Sequence, residues 1–314
     1  MQTRTTTLAG FEAWEIGTDD LSLVVIPELG GKIASFVHRP SGFDFAYVNP
    51  HTGIVRYPYD APYLTTDCGI GDLFPAIGVG VHGDGPWKGV PLPDKGEIWT
   101  QPMVTRVEGE WLVSTCSGLR FPYRFTRRVG LEGNQVKLSY EVENLCGYDL
   151  RYQWSLQPHL RLEGRLHLRI PAGATFLVDW SRNGDFEPRR RYRWPDGAVR
   201  RSGARVDFSA IDGMDGNAEK LYLTGMSFGE VALEYLDRGL ALVFGFDVRN
   251  TPHCGLWINR EGWPLDREKT RLCAVQPCNC LSDFRETSES MGAIGVLPAR
   301  STQRWAVTMQ VSSC

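Results

Sequence analysis

Hydrophobic and polar residues alternate along most of this chain, and the middle of the sequence shows the pattern clearly. In residues 152–157, three apolar side chains alternate with Gln153, Ser155 and Gln157. A period of two residues is typical of a β-strand with one apolar face and one polar face. Pro158 has no N–H to donate to a neighbouring strand, so we expect the strand to end there with Gln157 on its polar face.

The same alternation predicts strands along nearly the whole chain, whereas the helical period of about 3.6 residues is nearly absent. Further strands are predicted at Leu21–Ile26, Lys32–Val37, Asp44–Val48, Glu97–Thr105, Trp111–Cys116, Phe121–Val129, Gln135–Asn144, Arg165–Ile170, Lys220–Phe228, Val231–Tyr235, Leu240–Asp247, Leu256–Asn259, Leu272–Gln276, Met291–Leu297 and Gln303–Ser312. One helical turn is predicted at Asp283–Ser290. Turn sequences recur roughly every 8 to 14 residues, which is typical of a sandwich. The fold class is therefore predicted to be all-β, a large twisted antiparallel β-sandwich, with residues 1–314 forming one domain.

Residues 49–96 depart from this regularity, because proline, glycine and tyrosine are frequent there and the apolar runs are short. A compact domain seldom carries so long a stretch without regular structure unless the stretch is functional or packs as a lid. We expect one of these two roles for the segment.

Composition and charge are those of an ordinary globular protein. The chain has 314 residues, of which 42% are hydrophobic and 23% are charged, and its net charge is -3. A charge so near neutrality argues against nucleic acid as a main partner. A basic and aromatic cluster at residues 188–194 is interpreted as a solvated hairpin.

The sequence predicts a cytoplasmic protein with reduced thiols and no membrane partner. The first residues, Met1–Thr7, are polar, and no run approaches the roughly 20 apolar residues that span a bilayer. Eight cysteines are scattered without a repeating spacing. The cysteines within residues 273–280, with His253 and Cys254 nearby in sequence, fit no standard zinc motif, so no metal site is predicted.

Seven segments occur in an order that matches a known family. They are Val25–Ser35, Gly71–Ala76, Pro93–Trp99, Trp154–His159, Gly255–Pro264, Val275–Asp283 and Leu297–Trp305. Their sequences resemble the motifs of galactose mutarotase-like proteins, the aldose 1-epimerase superfamily. For example, Pro93-Asp-Lys-Gly-Glu-Ile-Trp99 is similar to the family's Pro-Asp-His-Gly-Glu segment. The resemblance covers nearly the whole chain.

The resemblance implies a β-sandwich with an open sugar-binding cleft on one sheet. In the family, a carboxylate takes the proton from the anomeric hydroxyl and a histidine protonates the ring oxygen, so that the ring opens and recloses as the other anomer. Here the glutamate base aligns with Gln276, the histidine acid aligns with Gln157, and another family histidine aligns with Lys95. A glutamine amide forms hydrogen bonds but transfers no proton near neutral pH. Loss of each catalytic group can cost on the order of 10²–10⁴-fold in rate.

We therefore predict a carbohydrate-binding protein of this superfamily in which mutarotation is weak or absent. The alternative is an active aldose 1-epimerase that acts on a hexose or modified sugar with displaced acid and base residues. His159 is the candidate acid, because it lies two residues past Gln157 and shares its face if the strand continues past Pro158. A third class, a lyase or isomerase that uses a tyrosine base such as Tyr152, has no specific support in the sequence.

The resemblance also implies which residues contact the small-molecule sugar. They are Phe74, Asp94, Lys95, Glu97, Trp257, Asn259, Trp263 and Asp283. Trp263 is the best candidate for a platform under the sugar, whereas Trp154 is expected in the core. If Lys95 admits a charged sugar, Lys95→Ala weakens binding of an anionic sugar more than of a neutral one. No cofactor is expected, and uncovered edge strands leave a homodimer open.

Overall fold

Two large antiparallel sheets form most of the protein. A computed structural model describes residues 1–63 and 68–314. Its strands are β1 (Gln2–Leu8), β2 (Phe11–Gly17), β3 (Leu21–Ile26), β4 (Lys32–His38), β5 (Phe43–Asp44), β6 (Ile70–Leu73), β7 (Gly80–Val81), β8 (Pro91–Leu92), β9 (Val104–Glu108), β10 (Trp111–Ser117), β11 (Tyr123–Glu132), β12 (Gln135–Asn144), β13 (Leu150–Tyr152), β14 (Ser155–Pro158), β15 (Leu160–Arg161), β16 (Leu166–Arg169), β17 (Thr175–Ser181), β18 (Arg191–Arg193), β19 (Ala198–Val199), β20 (Arg205–Val206), β21 (Ala218–Thr224), β22 (Gly229–Tyr235), β23 (Leu240–Phe246), β24 (His253–Arg260), β25 (Arg271–Cys278), β26 (Gly295–Leu297) and β27 (Thr302–Ser313). The described helices are α1 (Arg285–Ser290) and the 3₁₀ turns Pro27–Leu29, Gly85–Trp87, Ile98–Thr100 and Leu236–Arg238. None of these helices is long and apolar enough to cross a membrane.

The strands pair into a sandwich. The first sheet has the order β1-β2-β3-β4-β6-β14-β25-β24-β21-β17-β18, with β5 beside β4 and β15 beside β25. The second sheet has the order β16-β22-β23-β27-β12-β11-β10-β9. Neighbouring strands run antiparallel in both sheets. This architecture confirms the predicted all-β antiparallel sandwich.

The core lies between the inward faces of the two sheets. β12 shows how the sequence builds it, because buried and partly exposed residues alternate along its whole length. Tyr140 of β12 contacts Trp154 at a ring-centroid distance of 4.9 Å and Trp305 at 5.4 Å. Trp154 is only 1% exposed, so it is a core residue, as expected.

Strand prediction succeeds where alternation is regular. The predicted strands Leu21–Ile26 and Gln135–Asn144 have the observed bounds, and the predicted helical turn contains α1. The predicted strand Glu97–Thr105 is wrong as far as residue 103, because Ile98–Thr100 forms a 3₁₀ turn and β9 begins only at Val104. All three residues of that turn are buried. Their apolar character therefore reflects a turn that is surrounded by protein, and it does not mark one face of a strand.

The strands that were not predicted from the sequence include β1, β2 and β17. β1 lies at the edge of the first sheet, and none of its seven residues is buried. An edge strand with no buried face carries no apolar alternation, so the periodicity that reveals the other strands is absent from its sequence.

Pro158 does not end the central strand, which corrects the expectation from the sequence. Pairing with β6 reaches Pro158, which lies opposite Ile70. The N–H of His159 then donates to the Gly69 carbonyl at 3.0 Å, and β15 continues beside β25. Because the chain stays extended past the proline, Gln157 and His159 lie on the same face.

A buried ion pair joins the two sheets at this strand pair. Asp72 of β6 lies 2.9 Å from Arg127 of β11, and neither side chain has exposed surface. Arg127 also donates to the Gly31 carbonyl. Burial raises the pKa of Asp72, although the guanidinium acts in the opposite direction. This pair occupies the core face of β6, and the opposite face of the β6–β14 pair is left for a cleft.

Candidate functional site

A cavity of about 290 Å³ opens on the face of the first sheet that points away from the core. We call it the cleft. Strands β14, β25, β24, β21 and β17 contribute to it, together with the segments before β7 and after β8. Its lining residues are Tyr63, Gly78, Val79, Asp94, Lys95, Gln157, His159, Asp179, Trp180, Lys220, Trp257, Trp263, Gln276, Asp283 and Phe284. The structure therefore brings together residues from the central segment and from a segment more than a hundred residues later.

A chain of hydrogen bonds crosses the floor of the cleft. The Lys220 ammonium donates to Oε1 of Gln276, and Nε2 of Gln276 donates to Oε1 of Gln157. Nε2 of Gln157 lies 2.8 Å from Nε2 of His159. Because the Gln157 amide presents its NH₂ group to the imidazole, His159 accepts at Nε2 and its neutral ring carries the proton on Nδ1. The residues at the family's acid and base positions are thus hydrogen-bonded to each other.

His159 is held in its neutral form. Its side chain is almost completely buried, with 1% exposed. This burial lowers the pKa of His159 well below its usual value, and the positive charges of Lys32, Lys95 and Lys220 lower it further. The Tyr63 hydroxyl lies 3.4 Å from Nε2 of His159. In this state Nε2 is an acceptor and has no proton to give.

Gly255 makes room for the contact between Lys220 and Gln276. It lies on β24, between the strands that carry those two residues, and it pairs directly with Gln276. A Cβ atom at this position would lie 3.2 Å both from Nζ of Lys220 and from Oε1 of Gln276. Glycine inside a strand often marks such a close approach, so Gly255 is a sequence signal for this contact.

Both lysines that line the cleft are ion-paired with Asp283. Nζ of Lys95 lies 3.0 Å from Oδ2, and Nζ of Lys220 lies 3.3 Å from Oδ1. The Tyr222 hydroxyl donates to Oδ1 at 2.6 Å. Burial alone would raise the pKa of Asp283, but the two ammonium groups and these hydrogen bonds hold it well below its usual range. Asp283 therefore stays ionised and compensates the lysine charges.

Asp94 and Lys95 reach the cleft on a turn with a left-handed backbone. φ is 61° at Lys95 and 75° at Gly96. A Cβ atom on Gly96 would lie 2.3 Å from the Phe74 carbonyl oxygen, so only glycine fits there. Oδ2 of Asp94 accepts the N–H of Tyr63 at 2.9 Å. The turn thus fixes two of the predicted sugar-contacting residues at the border of the cleft.

Asp179, which was not predicted as a site residue, enters the cleft through an irregularity in β17. The register between β17 and β21 shifts between Val178 and Trp180. As a result Asp179 and Trp180 both line the cleft although they are consecutive. The N–H of Asp283 donates to Oδ2 of Asp179 at 3.0 Å. Burial, followed by the negative charge of Asp283, raises the pKa of Asp179.

Three tryptophans form an aromatic wall. The ring centroid of Trp180 lies 5.7 Å from that of Trp257 and 5.6 Å from that of Trp263. The planes of Trp180 and Trp263 meet at 85°. All three rings are partly exposed where they line the cleft. Indole surfaces of this kind stack on the apolar face of a sugar or attract a cation.

Phe74 and Glu97, which were predicted to contact sugar, do not line the cleft. Phe74 is fully buried and packs against Tyr123 at a ring-centroid distance of 4.6 Å. Glu97 is also fully buried and accepts hydrogen bonds from the hydroxyls of Tyr59 and Tyr123 and from two backbone N–H groups. These contacts make Phe74 part of the core and Glu97 an anchor for the surrounding loops.

Asn259 is the third predicted contact residue that does not line the cleft. Its Oδ1 accepts the N–H groups of Gly262 and Trp263, each at 3.0 Å. Its Nδ2 donates to the Trp263 carbonyl and to the Thr270 hydroxyl. With every polar atom of its amide used locally, Asn259 positions the turn that carries Trp263.

The thiols and carboxylates do not form a metal centre in the part of the chain that the structure describes. No group of three or more His, Cys, Asp or Glu side chains there is arranged to hold a metal ion. All eight cysteines are free.

Comparisons with known proteins identify the fold. No protein-family model matches the sequence, and no curated protein matches it. Among solved structures, the Slr1438 protein from Synechocystis sp. PCC 6803 has a TM-score of 0.72 at 16% identity, with 100% of each chain covered. A galactose mutarotase related enzyme from Lactobacillus acidophilus has a TM-score of 0.69 at 13% identity, with 96% of this chain and 97% of that chain covered. The GalM/aldose epimerase homologue from C. elegans has a TM-score of 0.61 at 11% identity, with 99% of each chain covered.

These identities establish likeness of fold. The chain has the galactose mutarotase-like fold that its sequence motifs predicted, and its sequence is only 11–16% identical to these proteins.

Proposed function

We propose that this chain uses its galactose mutarotase-like fold to bind a carbohydrate, and that it catalyses ordinary mutarotation weakly or not at all. The observation that carries the proposal is the direct hydrogen bond between Gln276 and Gln157 in the cleft. These residues align with the base and acid of the family, and an amide pair offers hydrogen bonds without proton transfer.

Binding is supported by what the cleft presents. Each of the two amides uses one donor and one acceptor in the floor chain, which leaves further hydrogen-bonding capacity for hydroxyl groups. The aromatic wall of Trp180, Trp257 and Trp263 supplies a surface for the apolar face of a pyranose. A few fixed polar groups in a cavity with apolar walls are typical of small-molecule sites.

Weak or absent mutarotation follows from the state of His159. A general acid must hold a proton at the working pH, whereas this imidazole is neutral and accepts at Nε2. The alternative, an active aldose 1-epimerase with displaced groups, is favoured only by the position of His159 in the cleft beside Gln157. That alternative requires the imidazole to take up a proton against the charges of three lysines.

Polarimetry of freshly dissolved α-glucose and α-galactose, together with calorimetric titration, tests the proposal. We expect binding of at least one sugar of a hexose panel, with the same rate of anomer equilibration as in buffer. Accelerated equilibration that His159→Ala abolishes would establish the alternative. An absence of binding to any sugar would refute the proposal.

A gain-of-function variant tests the alignment itself. Gln157→His combined with Gln276→Glu should raise mutarotase activity by about 100-fold or more, because one acid or base alone is worth on the order of 10²–10⁴-fold. The two single variants are the matched controls and should gain far less. A folded double variant that still binds sugar but gains no activity would contradict the assignment of these positions.

A further inference from the structure

We propose that the end of the cleft formed by Asp179 and the tryptophan wall binds an ammonium group, and that the ligand is an amino sugar. This inference rests on the proposed function, because it specifies the class of sugar that the cleft accepts. Neither the fold nor the amides of the cleft floor require an ammonium group. The inference follows from the charges and the ring geometry around Asp179.

The backbone places a carboxylate and an indole side by side. The bulge in β17 turns both Asp179 and Trp180 toward the cleft, where a regular strand would turn one of them away. The carboxylate is also held in position, since Oδ2 accepts the N–H of Asp283 at 3.0 Å. A bulge that aims a charged group into a cavity is typical of a ligand-binding position.

The cations already present in the cleft are committed elsewhere. Lys95 and Lys220 are both ion-paired with Asp283, at 3.0 Å and 3.3 Å. Within residues 1–63 and 68–314, no lysine, arginine or histidine nitrogen lies within 4 Å of the Asp179 carboxylate. Asp179 is therefore a partly buried carboxylate at the cleft without a paired cation. A ligand that brings a cation to it offsets the cost of its desolvation.

The aromatic wall suits the same group. Trp180 and Trp263 meet at 85° with centroids 5.6 Å apart, so they form a corner of two indole faces and edges. An ammonium group within about 6 Å of an indole face is attracted by the ring quadrupole, and tryptophan is the strongest of the aromatic residues in this respect. A carboxylate combined with an aromatic corner therefore recognises an ammonium in particular.

Other ligand charges fit less well. An anionic sugar would have to approach Asp179 and Asp94, which both line the cleft, while the two lysines are compensated by Asp283. A neutral sugar leaves Asp179 without a counter-charge. An amino sugar supplies a cation at Asp179 and keeps hydroxyl groups for the floor amides.

Calorimetric titrations with matched sugars test the inference. The probes are glucosamine, galactosamine and mannosamine, each compared with its parent hexose and its N-acetyl derivative at neutral pH, where the amine is largely protonated and the carboxylate is favoured over its protonated form. We expect at least one amino sugar to bind about tenfold or more tightly than both of its uncharged counterparts. If every amino sugar binds no more tightly than its parent while a parent binds, the inference is wrong and the proposed function stands. If no sugar binds at all, both fail.

Variants locate the ammonium site. Asp179→Asn should abolish the preference for the amino sugar and leave the affinity for the parent hexose within about threefold. Asp266→Asn removes an exposed carboxylate that does not line the cleft, so it is the matched control and should keep the preference. If Asp179→Asn does not fold, Trp263→Leu takes its place and should reduce the preference at least threefold. A preference that survives the folded variant would overturn the assignment.

Discussion

The two faces of the β6–β14 strand pair carry buried polar groups in different surroundings. On the face toward the second sheet, Asp72 is enclosed with Arg127, and neither side chain has exposed surface. On the opposite face, Gln157 is bonded to Gln276 and to His159, and all three border a cavity of about 290 Å³. Asp72 and Gln157 therefore belong to one pair of strands, and the space beside each of them differs.

The space beside each group distinguishes a charge that stabilises the fold from a polar group that can bind a ligand. An ion pair that is enclosed on all sides has no space beside it for a ligand, and its loss affects folding. Amides that border a cavity keep donors and acceptors for a ligand. Burial does not distinguish the two cases, since Gln276 is only 1% exposed, as is Asp72. The adjacent cavity does distinguish them, and the following predictions test this distinction.

Breaking the enclosed pair is expected to have the largest effect. Asp72→Asn leaves the Arg127 guanidinium buried without a counter-charge, and loss of one partner of such a pair costs about 3–5 kcal/mol. Chemical denaturation should show this loss in the free energy of unfolding. The control, Asp72→Leu with Arg127→Met, removes both charges and should recover much of the stability. A loss below about 1 kcal/mol for Asp72→Asn would contradict a structural role for the pair.

The neutral state of His159 predicts how stability depends on pH. Because the pKa of His159 is lower in the folded protein than in the unfolded chain, the unfolded chain binds more protons once the pH falls below the ordinary histidine value. Stability should therefore fall with decreasing pH, by at most about 1.4 kcal/mol per pH unit for this residue. Urea titrations between pH 7.5 and 5.5 measure the slope.

The contribution of His159 is obtained by difference, because burial also lowers the pKa of His253, to about 4. His159→Gln should reduce the slope, because it removes the imidazole that burial and the three lysines keep neutral. Equal slopes for the wild type and His159→Gln would show that His159 is not held neutral by folding.

The contact between Lys220 and Gln276, which passes over Gly255 of β24, provides a third test. Gly255→Ala places a Cβ atom 3.2 Å from both Nζ of Lys220 and Oε1 of Gln276 and should disturb the floor of the cleft. We expect the affinity for sugar to fall about tenfold, equivalent to about 1.4 kcal/mol. Gly80→Ala is the control, since a Cβ atom there meets nothing within 4 Å. Unchanged affinity in a folded Gly255→Ala variant would argue that the ligand does not depend on this contact.

The smallest expected effect is on how Lys95 discriminates between an anionic and a neutral sugar. The resemblance suggested that Lys95→Ala weakens binding of an anionic sugar more than of a neutral one, but the ion pair with Asp283 offsets this charge. We now expect similar losses for glucose and glucuronic acid, within about threefold of each other, a difference below about 0.7 kcal/mol. If calorimetry shows that Lys95→Ala lowers the affinity for glucuronic acid selectively, Lys95 does recognise the ligand's negative charge.

The sequence predicts the sandwich because alternation reports one buried face per strand, as in β3 and β12. It also predicts Gln157, Gln276 and Asp283 in one cleft, but only through the family resemblance, since alternation carries no information on which distant strands become neighbours. It places Phe74 and Glu97 wrongly, because a motif marks a segment and does not say which of its side chains face the cavity and which face the core.

Asp179 and Trp180 could not be found in this way. Their strand β17 was not predicted, and the register shift that brings both side chains to one face depends on pairing with β21. A bulge arises from the pairing of two strands, so one strand's alternation does not reveal it. Gly255 likewise lay outside the predicted strand Leu256–Asn259, and only the structure shows that it lies inside β24 between Lys220 and Gln276.

Proton NMR of one sample tests the central claim most directly, because it reports binding and anomer exchange together. The sample contains the wild-type protein and freshly dissolved α-anomer of the hexose that binds best. We expect saturation transfer from the protein to the sugar protons, with the α-anomer signal decaying at the rate seen in buffer. Saturation transfer accompanied by decay that is about tenfold faster or more would show that proton transfer survives in the cleft and would contradict the account.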